Sequence, residues 1–353
     1  MKKMLSLLIA VLLALSFCAC GSSAQKDDPN ATRMFTDSLG REVEVPAVID
    51  RVAVTGPISQ TFVYALCPEK LVGLSVDWDP SAAEFIPEEY FGLTKIGQIY
   101  GTGGEFNPEA LLSTGAQVVI DIGEPKKGEA EDLDALAEQT GIPFVHITAY
   151  VDSMDDAFRM LGELLGIEDT AEQYAKYCDD IYTRAYDIAQ KIEKKDVLYI
   201  LGEGRNVLPN GSFHAEILEF FCNNLAVVES PSGKGSGNEV DMEQILNWDP
   251  EYILFAPNTV YDLVGTDPLW QGLQAIRNNR YYEVPFGPYN WLGLPPGAQR
   301  LLGLMWLPSL LYPEECSYDL RAEVKAYYEM FYHTQITDEQ IDRLLANSTG
   351  KDK

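Results

Sequence analysis

Apolar residues along this chain keep changing rhythm. Runs without polar alternation, in Arg51-Val-Ala-Val-Thr-Gly56, Leu71-Val-Gly-Leu-Ser, Val118-Val-Ile-Asp and Phe144-Val-His-Ile, predict short strands buried on both faces. Between them, near 58–66, 107–114 and 129–140, the apolar spacing lengthens to that of one helix face. Ahead of this series, Phe35 to Val45 predicts a hairpin turning at Ser38-Leu-Gly40. The series resumes with a strand at Val197-Leu-Tyr-Ile-Leu, a helix over 213–222, strands at Leu225-Ala-Val-Val and Tyr281-Tyr-Glu-Val-Pro, and helices near 297–311 and 318–332. Thr337-Asp-Glu-Gln-Ile-Asp-Arg-Leu-Leu predicts a last, capped helix. Strands alternating with helices predict parallel sheets, and the fold class is α/β.

One stretch between the two series is different. From Thr170, which with Gln173 predicts a capping box, apolar or small residues recur at Tyr174, Cys178, Ile181, Ala185, Ile188 and Ile192. About 24 residues at roughly 1.5 Å each reach about 36 Å, enough to cross from one lobe to another as a strut that allows little hinge motion. The plainer alternative is a core helix of the second lobe.

A segment is also written twice. Asn107-Pro-Glu109-Ala-Leu-Leu, then Val118-Val-Ile-Asp, matches Asp241-Met-Glu243-Gln-Ile-Leu, then Tyr252-Ile-Leu-Phe. Each copy has an Asx residue suited to cap a helix, a Glu two positions on, a polar turn and a buried-type strand. Glu243 lies 134 positions beyond Glu109, too far for a solenoid repeat and suited to two α/β lobes. The expected architecture is two Rossmann-like lobes with central parallel sheets, joined by one long helix, with a ligand cleft between the lobes.

The first residues change the compartment. Lys2 and Lys3 precede an apolar run from Met4 to Phe17, then Cys18-Ala19-Cys20-Gly21 and a polar stretch, the layout of a secretory signal. The run is short for a membrane span, and a small residue before Cys20 predicts a lipoprotein-processing site, with Phe17 where such sites usually carry Leu. The expected segments are a signal peptide over 1–19, a linker over 20–33, a first lobe over 34–168, the connecting helix over 169–195 and a second lobe over 196–353. A lipidated Cys20 would hold the chain outside the cell membrane. The formal charge of −28 becomes −30 without Lys2 and Lys3, which argues against nucleic-acid binding. Cys67, Cys178, Cys222 and Cys316 form no CxxC pair and have no His at ligand spacing, so no zinc site is expected, and their disulfide state is open.

Several pieces together resemble a known family. Asp37-Ser-Leu-Gly-Arg-Glu-Val-Glu-Val-Pro46 with Arg51-Val-Ala-Val, the paired Asn-Pro-Glu and Asp-Met-Glu units, and Trp270 through Tyr282-Glu-Val-Pro are similar to the substrate-binding lipoproteins of iron-siderophore, haem and cobalamin ABC importers. The resemblance covers essentially the whole mature chain. It implies a binding protein without catalysis or cofactor, acting as a monomer that captures a metal complex, a ferric siderophore first among them, and delivers it to a permease. It also implies that Glu109 and Glu243, one per lobe, pair with permease arginines. A first-turn Glu is favoured by the helix dipole and keeps oxygens free for bidentate Arg contacts, although stabilising the helix start alone would equally explain it.

Open α/β sheets bind ligands at the carboxyl ends of their strands. The loops there predict Trp78 and Tyr100 from the first lobe, and Arg205, His214, Tyr289, Trp291 and Arg300 from the second. Aromatic rings suit a large planar ligand and the arginines an anionic one; loop packing, surface ion pairing and a helix-end role for His214 are the plain alternatives. His146, inside a strand, is expected to be structural. With three histidines in the chain, a His cage for a bare metal is not expected. Molybdate or tungstate is the alternative ligand class, because Pro295-Pro-Gly-Ala-Gln-Arg300 resembles a helix start in oxyanion-binding relatives, which carry an Arg where this chain has Leu294. Two rival functions are an exported metal-dependent enzyme, against which stand a missing ligand cluster and a missing GxSxG, and a sensory or adhesive surface lipoprotein.

Overall fold

The opening hairpin is antiparallel: β1 (Thr32–Thr36) pairs with β2 (Glu42–Pro46). The Asp37 carboxylate accepts from the backbone of Leu39 and Arg41, each at 3.0 Å, and Gly40 takes the left-handed conformation, φ 77°, that the tight turn requires. The computed structural model describes residues 31–100 and 105–350. The expected signal peptide, Cys20 and most of the linker lie outside them.

The first lobe follows as β3 (Val52–Val54), α1 (Pro57–Leu66), β4 (Leu71–Leu74), β5 (Thr94–Lys95), α2 (Pro108–Thr114), β6 (Val118–Gly123), α3 (Glu129–Thr140), β7 (Phe144–Thr148) and α4 (Met154–Leu165). Its five strands are parallel in the order β5-β4-β3-β6-β7. Every residue of β3 and β6 is buried, which is why neither alternates apolar with polar.

The connector is α5 (Glu168–Ala189), 22 residues and about 33 Å long. Tyr174, Cys178, Ile181, Ala185 and Ile188 form its buried stripe as the spacing predicts. Both ends differ from expectation. Gly166, at φ 67°, closes α4, and α5 begins at once with Ile167 as its cap. Thr170 therefore lies inside the helix, and no capping box with Gln173 forms. The helix also stops before Ile192.

The second lobe runs β8 (Lys195–Leu201), β9 (Asn206–Val207), α6 (Glu216–Phe221), β10 (Cys222–Asn224), β11 (Asn238–Glu239), α7 (Met242–Trp248), β12 (Tyr252–Phe255), α8 (Tyr261–Val264), α9 (Gln274–Arg277), β13 (Tyr281–Glu283), α10 (Arg300–Leu311), α11 (Leu320–Phe331) and α12 (Asp338–Leu345). β8 is parallel to β10 and β12, β12 to β13, and the short β9 and β11 add an antiparallel edge. The strand expected at Leu225–Val228 is instead Cys222–Asn224. Cys222 ends α6 in an extended conformation, and the Asn224 side chain ties the segment down by donating to Leu208 O and accepting from Ala226 N, each at 3.1 Å. Apolar Val227 is left 71% exposed.

The lobes are tied by apolar packing and by polar contacts. A single apolar cluster runs from β3 through α4 and α5 to α10 and α11. The Tyr174 hydroxyl on α5 lies 2.6 Å from Ala65 O and 2.7 Å from Met330 O. Arg184 of α5 grips Glu323 of α11 with two hydrogen bonds, and Arg343 of α12 reaches Glu84 of the first lobe at 2.9 Å. The C-terminal helices thus return to the first lobe and brace the strut.

Candidate functional site

The repeated units have the same local structure. Asn107 caps α2 by accepting from Ala110 N at 3.0 Å, and Asp241 caps α7 by accepting from Gln244 N at 2.7 Å. Each helix ends in a left-handed residue, Gly115 or Asp249, and leads into a strand holding the same place in its sheet: β6 beside β3 and β7, β12 beside β8 and β13. A helix packed antiparallel to the strand it feeds starts at the carboxyl ends of the strands. Glu109 and Glu243, exposed in the first turns, therefore belong to the cleft end of their lobes.

Two other helix starts meet across the cleft. α1 follows β3 with Gly56 at its cap, and α10 begins behind Pro295-Pro-Gly-Ala with Gln299 at its cap; neither has a side-chain cap. They approach until Ala298 N donates to Thr61 Oγ1 at 3.4 Å. Gly297 makes this possible, since a Cβ there would sit 2.5 Å from Thr61 Oγ1. Alongside, Trp78 meets Tyr289 with ring centroids 6.2 Å apart, and Tyr150 meets Phe213 at 5.5 Å.

The expected ligand residues fall into three groups. Trp78 and Tyr289 come together from opposite lobes; Trp78 Nε1 donates to Tyr90 O at 3.0 Å, whereas the Tyr289 hydroxyl faces the Gln60 side chain without a well-directed bond. Burial raises the Tyr289 pKa, and the Gln60 side chain opposes that rise.

Arg300 and His214 lie on the second-lobe wall. Arg300 is fully buried, forms a close ion pair with Glu216, donates to Gly297 O at 3.3 Å, and crosses the cleft to Ala149 O at 3.1 Å under the Phe213 ring. Burial lowers its pKa and raises that of Glu216, each against the pull of its partner's charge. The His214 Nδ1 is 2.8 Å from Gly293 O, and burial outweighs that bond to lower its pKa. The ring is accordingly neutral, with its proton on Nδ1.

The remaining residues stand apart. Tyr100 is half-buried, donates to Asp132 at 3.0 Å, and has Lys126 Nζ 5.9 Å from its ring centre. Arg205 is exposed at the edge formed by β9 and β11. Trp291 is 0% exposed in the apolar core, away from the cleft surface. A surface hollow of about 850 Å³ opens around Lys195 and Tyr312, at the amino end of β8 and opposite the cleft.

The structure also joins three residues that sequence spacing did not connect. Asp121 on β6, Glu129 at the start of α3 and His146 on β7 offer ligand atoms all within 4.8 Å of one another. Burial would lower the His146 pKa, but the hydrogen bond to Asp121, the close Glu129 carboxylate and the charges of both raise it to about 9. The available signal was a polar residue inside each of two otherwise apolar strand runs.

Two Rossmann-like lobes bridged by one long helix, with strand ends facing a shared cleft, define the class of solute-binding proteins with a helical connector. The family profile for periplasmic binding proteins matches residues 98–287, just over half of the chain, and the chain belongs to that family. It is an ABC-type substrate-binding protein; the family consists of transport solute-binding proteins, not enzymes, and works outside the cytoplasm. The molybdate-binding protein MolA of Haemophilus influenzae is 24% identical over 367 residues, spanning 94% of this chain and 97% of the relative. The Fe(3+)-citrate-binding protein YfmC of Bacillus subtilis is 24% identical over 227 residues, 61% of this chain and 62% of the relative. The solved structure of an ABC transporter solute binding protein from Sulfurospirillum deleyianum superposes with a TM-score of 0.81 at 25% identity, covering 89% of this chain and 99% of its own. Among the described residues no helix is long and apolar enough to cross a membrane.

Proposed function

We propose that the chain captures a small oxyanion of the molybdate or tungstate type in the cleft and delivers it, chemically unchanged, to a membrane permease. The carrying observation is the convergence of two helix starts without side-chain caps, α1 and α10, from opposite lobes. Each offers the positive end of a helix dipole, so an anion between them is favoured twice; the first N–H groups of α10 bond back to Gly297 O, Ala298 O and Gln299 O, so on that side the dipole acts without free donors. The Gln60 and Tyr289 side chains face each other, buried, at the same interlobe face and can turn their donors to an anion. Arg300, paired with Glu216, shapes that wall rather than supplying an uncompensated charge. The likeness to MolA along nearly the whole chain supports the same reading.

Direct contacts across the cleft suit a small ligand better than haem or a corrinoid. A second reading, an anionic ferric complex, is favoured by the aromatic pair Trp78–Tyr289 and by the likeness to YfmC. Glu109 and Glu243 would dock the loaded protein, and Cys20, lipidated after removal of residues 1–19, would anchor it through the linker over 20–33. The test is tryptophan fluorescence of the chain from Lys26 onward, titrated with molybdate, tungstate, sulfate, ferric citrate, haem and cobalamin. Saturation by molybdate or tungstate alone is expected. Saturation by ferric citrate alone would transfer the assignment to the second reading, and no response to any anion would defeat both.

A further inference from the structure

We propose that Asp121, Glu129 and His146 form a site for a first-row divalent cation, zinc or manganese, inside the first lobe and separate from the cleft ligand. The three come from the consecutive elements β6, α3 and β7, and the parallel pairing of β6 with β7 places Asp121 directly beside His146. His146 Nδ1 lies 2.7 Å from Asp121 Oδ2 and 3.3 Å from Glu129 Oε1. Two donors each about 2.1 Å from a metal stand about 3.0 to 3.4 Å apart, so a small adjustment of these side chains admits an ion among them.

The outer atoms of the same groups are already engaged. The Thr55 hydroxyl donates to Asp121 Oδ1, Lys126 N donates to Glu129 Oε2 at 2.6 Å, and Thr148 Oγ1 lies 3.3 Å from His146 Nε2. These contacts orient Oδ2, Oε1 and Nδ1 toward one point, the role that outer hydrogen bonds play around metal ligands.

The decisive atom is Glu129 Oε1. Glu129 is 1% exposed, yet this oxygen completes no well-directed hydrogen bond, its nearest donor atom being His146 Nδ1 at 3.3 Å. A proton on His146 Nδ1 favours the nearer Asp121 Oδ2, at 2.7 Å, and serves Glu129 Oε1 poorly. A buried carboxylate oxygen without a well-directed donor is unfavourable, and a cation coordinated by both acids and the ring nitrogen satisfies all three groups together. One imidazole nitrogen with two carboxylate oxygens suits a hard or borderline divalent ion, not a thiophilic one.

The experiment uses the purified chain from Lys26 onward, stripped with EDTA and dialysed against zinc or manganese, with bound metal measured by mass spectrometry. One equivalent is expected in the wild type, falling below a tenth in Glu129→Gln and His146→Gln. Thr55→Val, which removes an orienting hydroxyl without touching a ligand, should weaken affinity about 10- to 100-fold. Anion titration of the cleft and the far-UV circular dichroism should be unchanged in Glu129→Gln, which separates this inference from the transport reading. Should a variant fail to fold, cobalt bound to the wild type decides: visible bands of an N/O-ligated ion are expected. Absence of stoichiometric metal, or metal content unaffected in Glu129→Gln and His146→Gln, would overturn the proposal.

Discussion

Replacing Arg300 with Met should expose how much of the fold depends on one buried ion pair. The guanidinium is 0% exposed, pairs closely with Glu216, and donates to Gly297 O and Ala149 O. Removing one partner of a buried pair costs about 3 to 5 kcal/mol, because the other charge stays behind without compensation. Glu216 is already pushed up by burial and loses the charge that opposes this, so it takes up a proton more readily in the variant. A carboxyl whose folded pKa lies above its unfolded value of 4.5 contributes stability that is fully present below 4.5 and is lost as pH rises through the folded value. The deficit of Arg300→Met relative to wild type should therefore shrink as pH falls toward that value.

Urea unfolding of wild type, Arg300→Met, Glu216→Leu and the double variant forms the cycle. The double variant removes both charges and should recover all but about 1 to 3 kcal/mol, the remaining cost of leaving Ala149 O without its donor. A loss under about 1 kcal/mol in Arg300→Met, or a double variant as unstable as the sum of the singles, would refute the reasoning.

Glu109→Ala with Glu243→Ala should abolish uptake in cells carrying the cognate permease while leaving solution affinity intact, at a stability cost of about 1 to 2 kcal/mol from the two helix starts. Gly297→Val should wedge α10 against Thr61 and weaken anion binding about tenfold or more, with circular dichroism unchanged; wild-type affinity would mean that this contact does not govern closure. Cys67 is buried, and burial pushes its thiol up to about 12; with Cys178 and Cys222 it should react with a thiol reagent at pH 8 only after denaturant is added, whereas the partly exposed Cys316 should react first.

Much of this architecture was readable wherever local chemistry and tertiary context agree. The runs at Val52, Val118 and Phe144 are strands because their residues are buried on both faces, and the duplicated Asx-x-Glu units retain their caps because capping is a contact over three residues. The strand at Cys222–Asn224 was not readable, since an Asn side chain anchoring backbone sixteen residues away outweighs the apolar run that follows it. Thr170 looked like a cap only without Gly166, which turns the chain so tightly that α5 starts ahead of it.

Trp78 and Tyr289 were both expected from loops at strand ends, and the structure brings their rings to 6.2 Å. Trp291 belongs to a similar loop but turns into the core, a choice that loop composition does not encode. Asp121, Glu129 and His146 were missed as a set because sheet pairing, not sequence spacing, makes them neighbours.

The central claim, an anion held between the starts of α1 and α10, is tested most directly by anomalous diffraction from crystals grown with tungstate. A single strong tungsten peak between Gly56–Ser59 and Gly297–Arg300, within hydrogen-bond reach of Gln60 or Tyr289, is the predicted result. A peak elsewhere, or none at saturating tungstate, would contradict it.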